Sequence, residues 1–115
     1  MVVSWANPRK AKKKSTRHEG PVCAIARAEV HPGREEEFEF LLADMALQVK
    51  ANEKACTFYS VTRALGSATH FAVHARFKDW EAFKAHPETP HMEQLLAHLS
   101  PLLAAPIGLE IFLEV

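Results

Sequence analysis

The apolar period of this chain changes once, and sharply, between Val22 and Val49. Val22, Ala24, Ala26, Ala28 and Val30 fall on one side of an alternating run, with Arg27 and Glu29 on the other. That is the two-residue period of a strand buried on one face. His31-Pro32-Gly33 then supplies turn residues. Beyond it Phe38, Leu41, Leu42, Met45 and Val49 recur at three- and four-residue spacing, which predicts a helix from about Arg34 to Asn52 with a single apolar stripe. Glu35, Glu36 and Glu37 crowd its first turn, where carboxylates complement the helix dipole. A strand followed by a helix of this kind needs a sheet for the stripe to cover.

The rest of the chain supplies that sheet. Strands are predicted at about Cys56–Arg63 and His70–Phe77, with Gly66-Ser67 between them. Phe71, Val73, Ala75 and Phe77 share one face of the second, while His70, His74 and Arg76 share the other, as in an antiparallel sheet covered on one side. Asp79 reads as the N-cap of a short helix through Trp80, Ala82 and Phe83. Thr89-Pro90 starts another, with Pro at the first helical position and an apolar stripe of Met92, Leu95, Leu96 and Leu99. After Pro101 and Pro106, alternation from Ile107 to Val115 gives a fourth strand. The order is β-α-β-β-α-β. The predicted class is α+β, ferredoxin-like, with a four-stranded antiparallel sheet and helices on one face.

A length of 115 residues suits one domain. No apolar run approaches membrane-spanning length, and no secretory signal is visible. A cytoplasmic protein without membrane contact is therefore expected, with Cys23 and Cys56 as reduced thiols. The formal net charge of zero hides a split: residues 1–20 carry six Lys or Arg and one acid, leaving eight bases and thirteen acids beyond. Residues 1–20 are expected to be a basic extension and 21–115 the domain. The extension could serve as a polyanion-binding arm. The alternative is a solvated segment, docking Val2, Val3 and Trp5 on its own acidic domain. The latter is preferred, and a nucleic-acid partner is not expected, because aromatic residues are not interleaved with the bases.

Three stretches resemble the antibiotic biosynthesis monooxygenase family. Ala26-Arg27-Ala28-Glu29-Val30-His31-Pro32-Gly33-Arg34-Glu35-Glu36-Glu37-Phe38 looks like its strand, turn and acidic helix start. Asn52-Glu53-Lys54-Ala55-Cys56-Thr57-Phe58-Tyr59 is similar to its Asn-Glu-x-Gly-Cys-x-x-Tyr pattern. Asp79-Trp80-Glu81-Ala82-Phe83-Lys84-Ala85-His86-Pro87-Glu88-Thr89-Pro90-His91 resembles its helix ending in His-x-x-Thr-Pro-His. The resemblance covers about residues 22–115. It implies a dimeric α+β barrel in which two sheets pack together, so a homodimer is expected. Ala24 and Phe112 are expected on the sheet face that the partner covers. Two positions depart from the family pattern: Ala55 replaces the usual Gly, and Ala75 stands where a Glu commonly precedes the strand-end aromatic.

The resemblance also implies chemistry. Members commonly oxidise activated aromatic compounds with molecular oxygen, often without metal or flavin. Deprotonation makes the substrate electron-rich, and a dry pocket, a proton acceptor and donors to the anion do the rest. No cofactor and no metal are therefore expected. His86 and His91, the two histidines of the third motif, are the candidate base or orienting donors. Tyr59 is the candidate hydrogen-bond donor to substrate oxygen, and Phe77, Trp80, Phe83 and Asn52 are candidate substrate-binding residues. Each has an ordinary structural alternative, such as a helix cap for His86, a turn for Asn52 and Glu53, or core packing for the aromatics. Arg63 and Arg76 could face an anionic ligand, but a cross-strand or subunit ion pair is expected. His70 and His74 are about 13 Å apart at strand rise, too far to share a metal. The haem-degrading branch is not expected, because its Asn, Trp and His positions correspond here to Ala26, His86 and Leu96. The reading is a cofactor-independent monooxygenase on a small quinol- or anthrone-like compound. The alternatives are a non-catalytic small-molecule-binding dimer of the same fold and a proton-transfer enzyme or isomerase.

Overall fold

The structure, a computed structural model, describes residues 20–115. The basic extension expected at 1–20 lies, apart from Gly20, outside the described residues. The elements are β1 (Val22–Glu29), α1 (Glu35–Asn52), β2 (Cys56–Arg63), β3 (His70–Phe77), α2 (Trp80–Ala85), α3 (Pro90–Leu99) and β4 (Gly108–Leu113). Short 3₁₀ turns at His86–Glu88 and Ser100–Leu102 follow α2 and α3. The sheet is fully antiparallel, in the order β2-β3-β1-β4. This is the ferredoxin-like α+β arrangement that the periodicities predict.

Local chemistry accounts for the element ends. Gly33 has φ +92°, a left-handed conformation that a side chain would strain, and it lets the chain turn from β1 into α1. Asp79 Oδ1 accepts the Ala82 N–H, and Thr89 Oγ1 accepts the Met92 N–H, so both expected N-caps form. The helices cover one sheet face. Phe38, Leu42, Met45 and Val49 of α1 meet Ala28, Phe71, Leu95 and Leu99 in one core. Phe38 and Phe71 pack with ring centroids 5.1 Å apart.

The opposite face is open within one chain and carries ion pairs. Arg76 pairs with Glu114 at 2.6 Å, His70 with Glu29 at 3.0 Å, and Arg27 with Glu110. The Arg76 guanidinium holds the Glu114 carboxyl below its usual range. One sequence reading needs correcting here. Ala24 pairs in register with Ile111 and is buried on the helix-covered face, whereas Cys23 and Phe112 share the open face. The alternation had put Ala24 with the apolar set of β1, and that set follows the helices. In β2 the register shifts between Cys56 and Phe58. This bulge puts Phe58 opposite Arg76 on the open face and turns Tyr59, opposite Ala75, toward the helices. Arg63, at the far end of β2, pairs with Glu39 of α1 at 3.2 Å, a strand-to-helix pair and not the cross-strand or subunit pair expected.

Candidate active site

Between the sheet and α3 lies an apolar cavity of about 210 Å³. Its floor is Ala24, Ala26, Val73 and Ala75 of the sheet, and its roof is Met92, Leu95 and Leu99 of α3. Small residues on the floor create the space: three of these four are alanines. Tyr59 and His86 are the only polar side chains in the lining. Ala75 leaves the sheet side of the cavity apolar. Proton-accepting capacity therefore enters from the helix side.

His86 is the first residue after α2, and its placement is secured by backbone and cap contacts. Its carbonyl accepts the Thr89 N–H at 3.2 Å and the Thr89 hydroxyl at 2.8 Å. Thr89 is also the N-cap of α3, so the His-x-x-Thr-Pro-His segment fixes His86 and His91 in one rigid corner. Both rings reach a single acid. His86 Nδ1 lies 2.8 Å from Glu53 Oε1 and 3.0 Å from Oε2, and His91 Nε2 lies 2.5 Å from Oε2. A carboxylate only accepts, so both ring nitrogens donate to it. The three side chains are sheltered, with exposures of 12% for His86, 13% for His91 and 10% for Glu53. Charge-assisted bonds gain strength in such surroundings.

Glu53 is the C-cap of α1. Its N–H donates to Val49 O at 2.8 Å and its carbonyl accepts the Cys56 N–H at 3.0 Å. The helix end thus aims the carboxylate at the two histidines. With Nδ1 held by Glu53, His86 presents Nε2 as its remaining acceptor, and the ring lies against the cavity. Its centroid is 5.1 Å from that of Phe77 and 6.1 Å from that of Tyr59. A carboxylate that fixes one imidazole nitrogen and leaves the other as acceptor is the arrangement of an oriented general base.

Tyr59 is the second polar group of the cavity. Burial, with the Cys56 and Glu53 charges adding to it, pushes its phenol well above the usual range. It is therefore a neutral donor, and its hydroxyl has no hydrogen-bond partner among the described residues. Burial likewise pushes the Cys56 thiol up, which argues against a nucleophilic role. Both cysteines are free thiols.

The other predicted site residues divide. Phe77 and Phe83 line the cavity. Trp80 does not: it lies against Phe83, with centroids 5.5 Å apart, on the side of a shallow hollow formed with Val22 and Phe112. Asn52 does not reach the cavity either. It is exposed, donates to Gln48 O at 2.9 Å, and lines an outer groove of about 590 Å³ between α1 and α3. His91 lines that groove as well. Glu53, read from sequence as a turn residue, is the centre of the site. No spacing rule links it to residues 33 and 38 positions downstream. Among the described residues, no group of three His, Cys, Asp or Glu side chains is arranged to hold a metal ion.

The model of the family described as antibiotic biosynthesis monooxygenase matches residues 21–97. A Caulobacter crescentus CB15 protein whose name places it among these monooxygenases is 27% identical, with a TM-score of 0.83 over 89% of this chain and 96% of its own. Rv0793 from Mycobacterium tuberculosis shares the fold at 22% identity and a TM-score of 0.76, over 83% of this chain and 95% of its own. A Nitrosomonas europaea protein, also named for these monooxygenases, does so at 18% identity and 0.77, over 84% and 92%. No curated protein matches the sequence significantly.

Proposed function

The chain belongs to the antibiotic biosynthesis monooxygenase family, and from that premise we propose that it is a cofactor-independent monooxygenase acting on a small cyclic or phenolic compound, as a cytoplasmic homodimer. One observation carries the reading: an otherwise apolar cavity whose only polar side chains among the described residues are an imidazole oriented by a sheltered carboxylate and a neutral phenol. The cavity, at about 210 Å³, is below the range typical of drug-sized ligands, which favours a one- or two-ring quinol over a larger anthrone.

The chemistry follows from those groups. His86 Nε2 takes a proton from an acidic hydroxyl or activated methylene. The Tyr59 hydroxyl donates to the oxygen on which the negative charge settles. In apolar surroundings the anion is electron-rich and gives an electron to molecular oxygen, and the two radicals then combine. Loss of water leaves a new carbonyl: one oxygen atom enters the substrate, the other leaves as water, and the substrate supplies the electrons. Apolar walls favour both substrate stacking and dioxygen entry. The homodimer is supported by the exposed apolar residues of β4. Phe112, on the open sheet face, is 50% exposed, so a second copy packed on that face would cover it. No described helix is long and apolar enough to cross a membrane, and the two free thiols suit a reducing compartment.

A second reading, a proton-transfer enzyme, uses the same His86 without oxygen. One experiment separates the two. Oxygen uptake is followed with a panel of quinols, catechols and anthrones, beside deuterium incorporation into the same compounds in heavy water. Uptake that falls at least a hundredfold in His86→Ala supports the monooxygenase, since general-base catalysis contributes about that much. Deuterium incorporation without uptake, lost in the same variant, supports proton transfer. Neither activity from a folded protein would contradict both readings.

A further inference from the structure

Glu53 stands between two spaces of different character. On one side His86 faces the apolar cavity. On the other, His91 lines the outer groove with Asp44, Gln48 and His98. Both rings are tied to the same carboxylate, and among the described residues neither His86 Nε2 nor His91 Nδ1 has a hydrogen-bond partner. The two free ring nitrogens are therefore the inner and outer termini of a continuous hydrogen-bonded chain. We infer that His86, Glu53 and His91 form a charge-coupled proton conduit between the cavity and the groove between α1 and α3, in which uptake at His86 drives release at His91, the outer terminus, and no proton crosses the carboxylate.

The proton count closes without protonating the carboxylate. One negative charge between two imidazoles stabilises one imidazolium at a time. The exchange requires this imidazolium to be His91 before substrate binds, with His86 neutral and donating through Nδ1. When His86 Nε2 takes the substrate proton, a second imidazolium beside the same carboxylate is unfavourable. His91 then releases its Nδ1 proton to the groove. One proton enters and one leaves, and the cluster keeps its net charge while an imidazolium now faces the substrate anion. Other titratable groups nearby are Cys56 and Tyr59 beside Glu53 on the cavity side, and Asp44 and His98 along the groove. Cys56 and Tyr59 are both held neutral, so the exchange is left to the two histidines.

This inference rests on His86 being the base, but its test needs no substrate. Ring nitrogen resonances of His86 and His91 are followed by NMR across neutral pH in the full chain. We expect both rings to respond in the same two steps, more than about one pH unit apart, as coupled sites do. In His91→Gln the amide keeps a donor to Glu53 but cannot carry the proton, and His86 should collapse to a single step. Glu53→Gln, checked for fold by its amide spectrum, should uncouple the rings. Independent single-step titrations in the wild type, or a His86 curve unmoved by His91→Gln, would overturn the conduit. Because oxygen uptake plays no part, a failed titration with uptake intact removes the conduit alone. A coupled titration without uptake removes the monooxygenase alone.

Discussion

The two ends of α1 carry acids of the same kind in opposite circumstances. At its start Glu37 pairs with Arg34 at 2.8 Å, and the two side chains are 54% and 45% exposed. Glu39 and Arg63, half-exposed in the same way, pair at 3.2 Å. At its end Glu53 is 10% exposed and accepts from two sheltered imidazoles. In water an ion pair returns little, because solvent already satisfied both charges. Where the same carboxylate is sheltered, water competes less for it, so its partners weigh more in its energy and its position. Composition alone makes the acidic helix start look like the motif. Shelter sets the single acid at the other end apart, between two imidazoles.

That contrast can be tested by removing each acid in turn. Glu53→Leu strands two imidazole donors and should cost about 3 kcal/mol of unfolding free energy, read from the urea midpoint at constant slope. Glu53→Gln keeps one acceptor and should cost about 1–2 kcal/mol, with a loss of oxygen uptake far larger than the loss of stability. If Glu53→Leu were as mild as an exposed pair, burial would not be what separates the two ends. Arg63→Ala should change stability by less than about 0.5 kcal/mol and uptake not at all. Tyr59→Phe removes a hydroxyl without a recorded partner, so stability should stay within about 0.5 kcal/mol while turnover of phenolic compounds falls.

Tyr59 also gives a pH test, since it is the only tyrosine in the chain. Its folded value lies above the ordinary 10.0. A phenol raised in this way contributes stability that is complete below that ordinary value and is lost as pH rises above it. Tyrosinate absorbance should therefore appear only well above pH 10, or together with unfolding. A curve centred on the ordinary value in the folded protein would mean that Tyr59 is open to water.

Periodicity carried the fold, because each helix and strand buries one face and so writes its period into the apolar residues. The caps at Asp79 and Thr89 were legible for a similar reason: each depends on residues within one turn. The site was legible only where it is local. His86 and His91 share one short motif, and Phe77 and Phe83 fall on predicted inner faces. Glu53 was missed because its partners are distant in sequence and an acid at a helix end is usually solvated. Tyr59 depends on the bulge after Cys56, which simple alternation does not contain. Trp80 and Asn52 lie outside the cavity because a six-residue helix and a helix end leave the facing of a side chain to tertiary packing.

The most direct test is a double-mutant cycle between Glu53 and His86, using Glu53→Gln, His86→Asn and the pair, with unfolding free energies from urea at neutral pH. A coupling of at least about 1.5 kcal/mol, as expected for a sheltered hydrogen bond to a charged group, would establish the carboxylate and the imidazole as one unit. A coupling near zero would mean that His86 is held by its backbone contacts alone, and Glu53 would no longer be the orienting residue of the site.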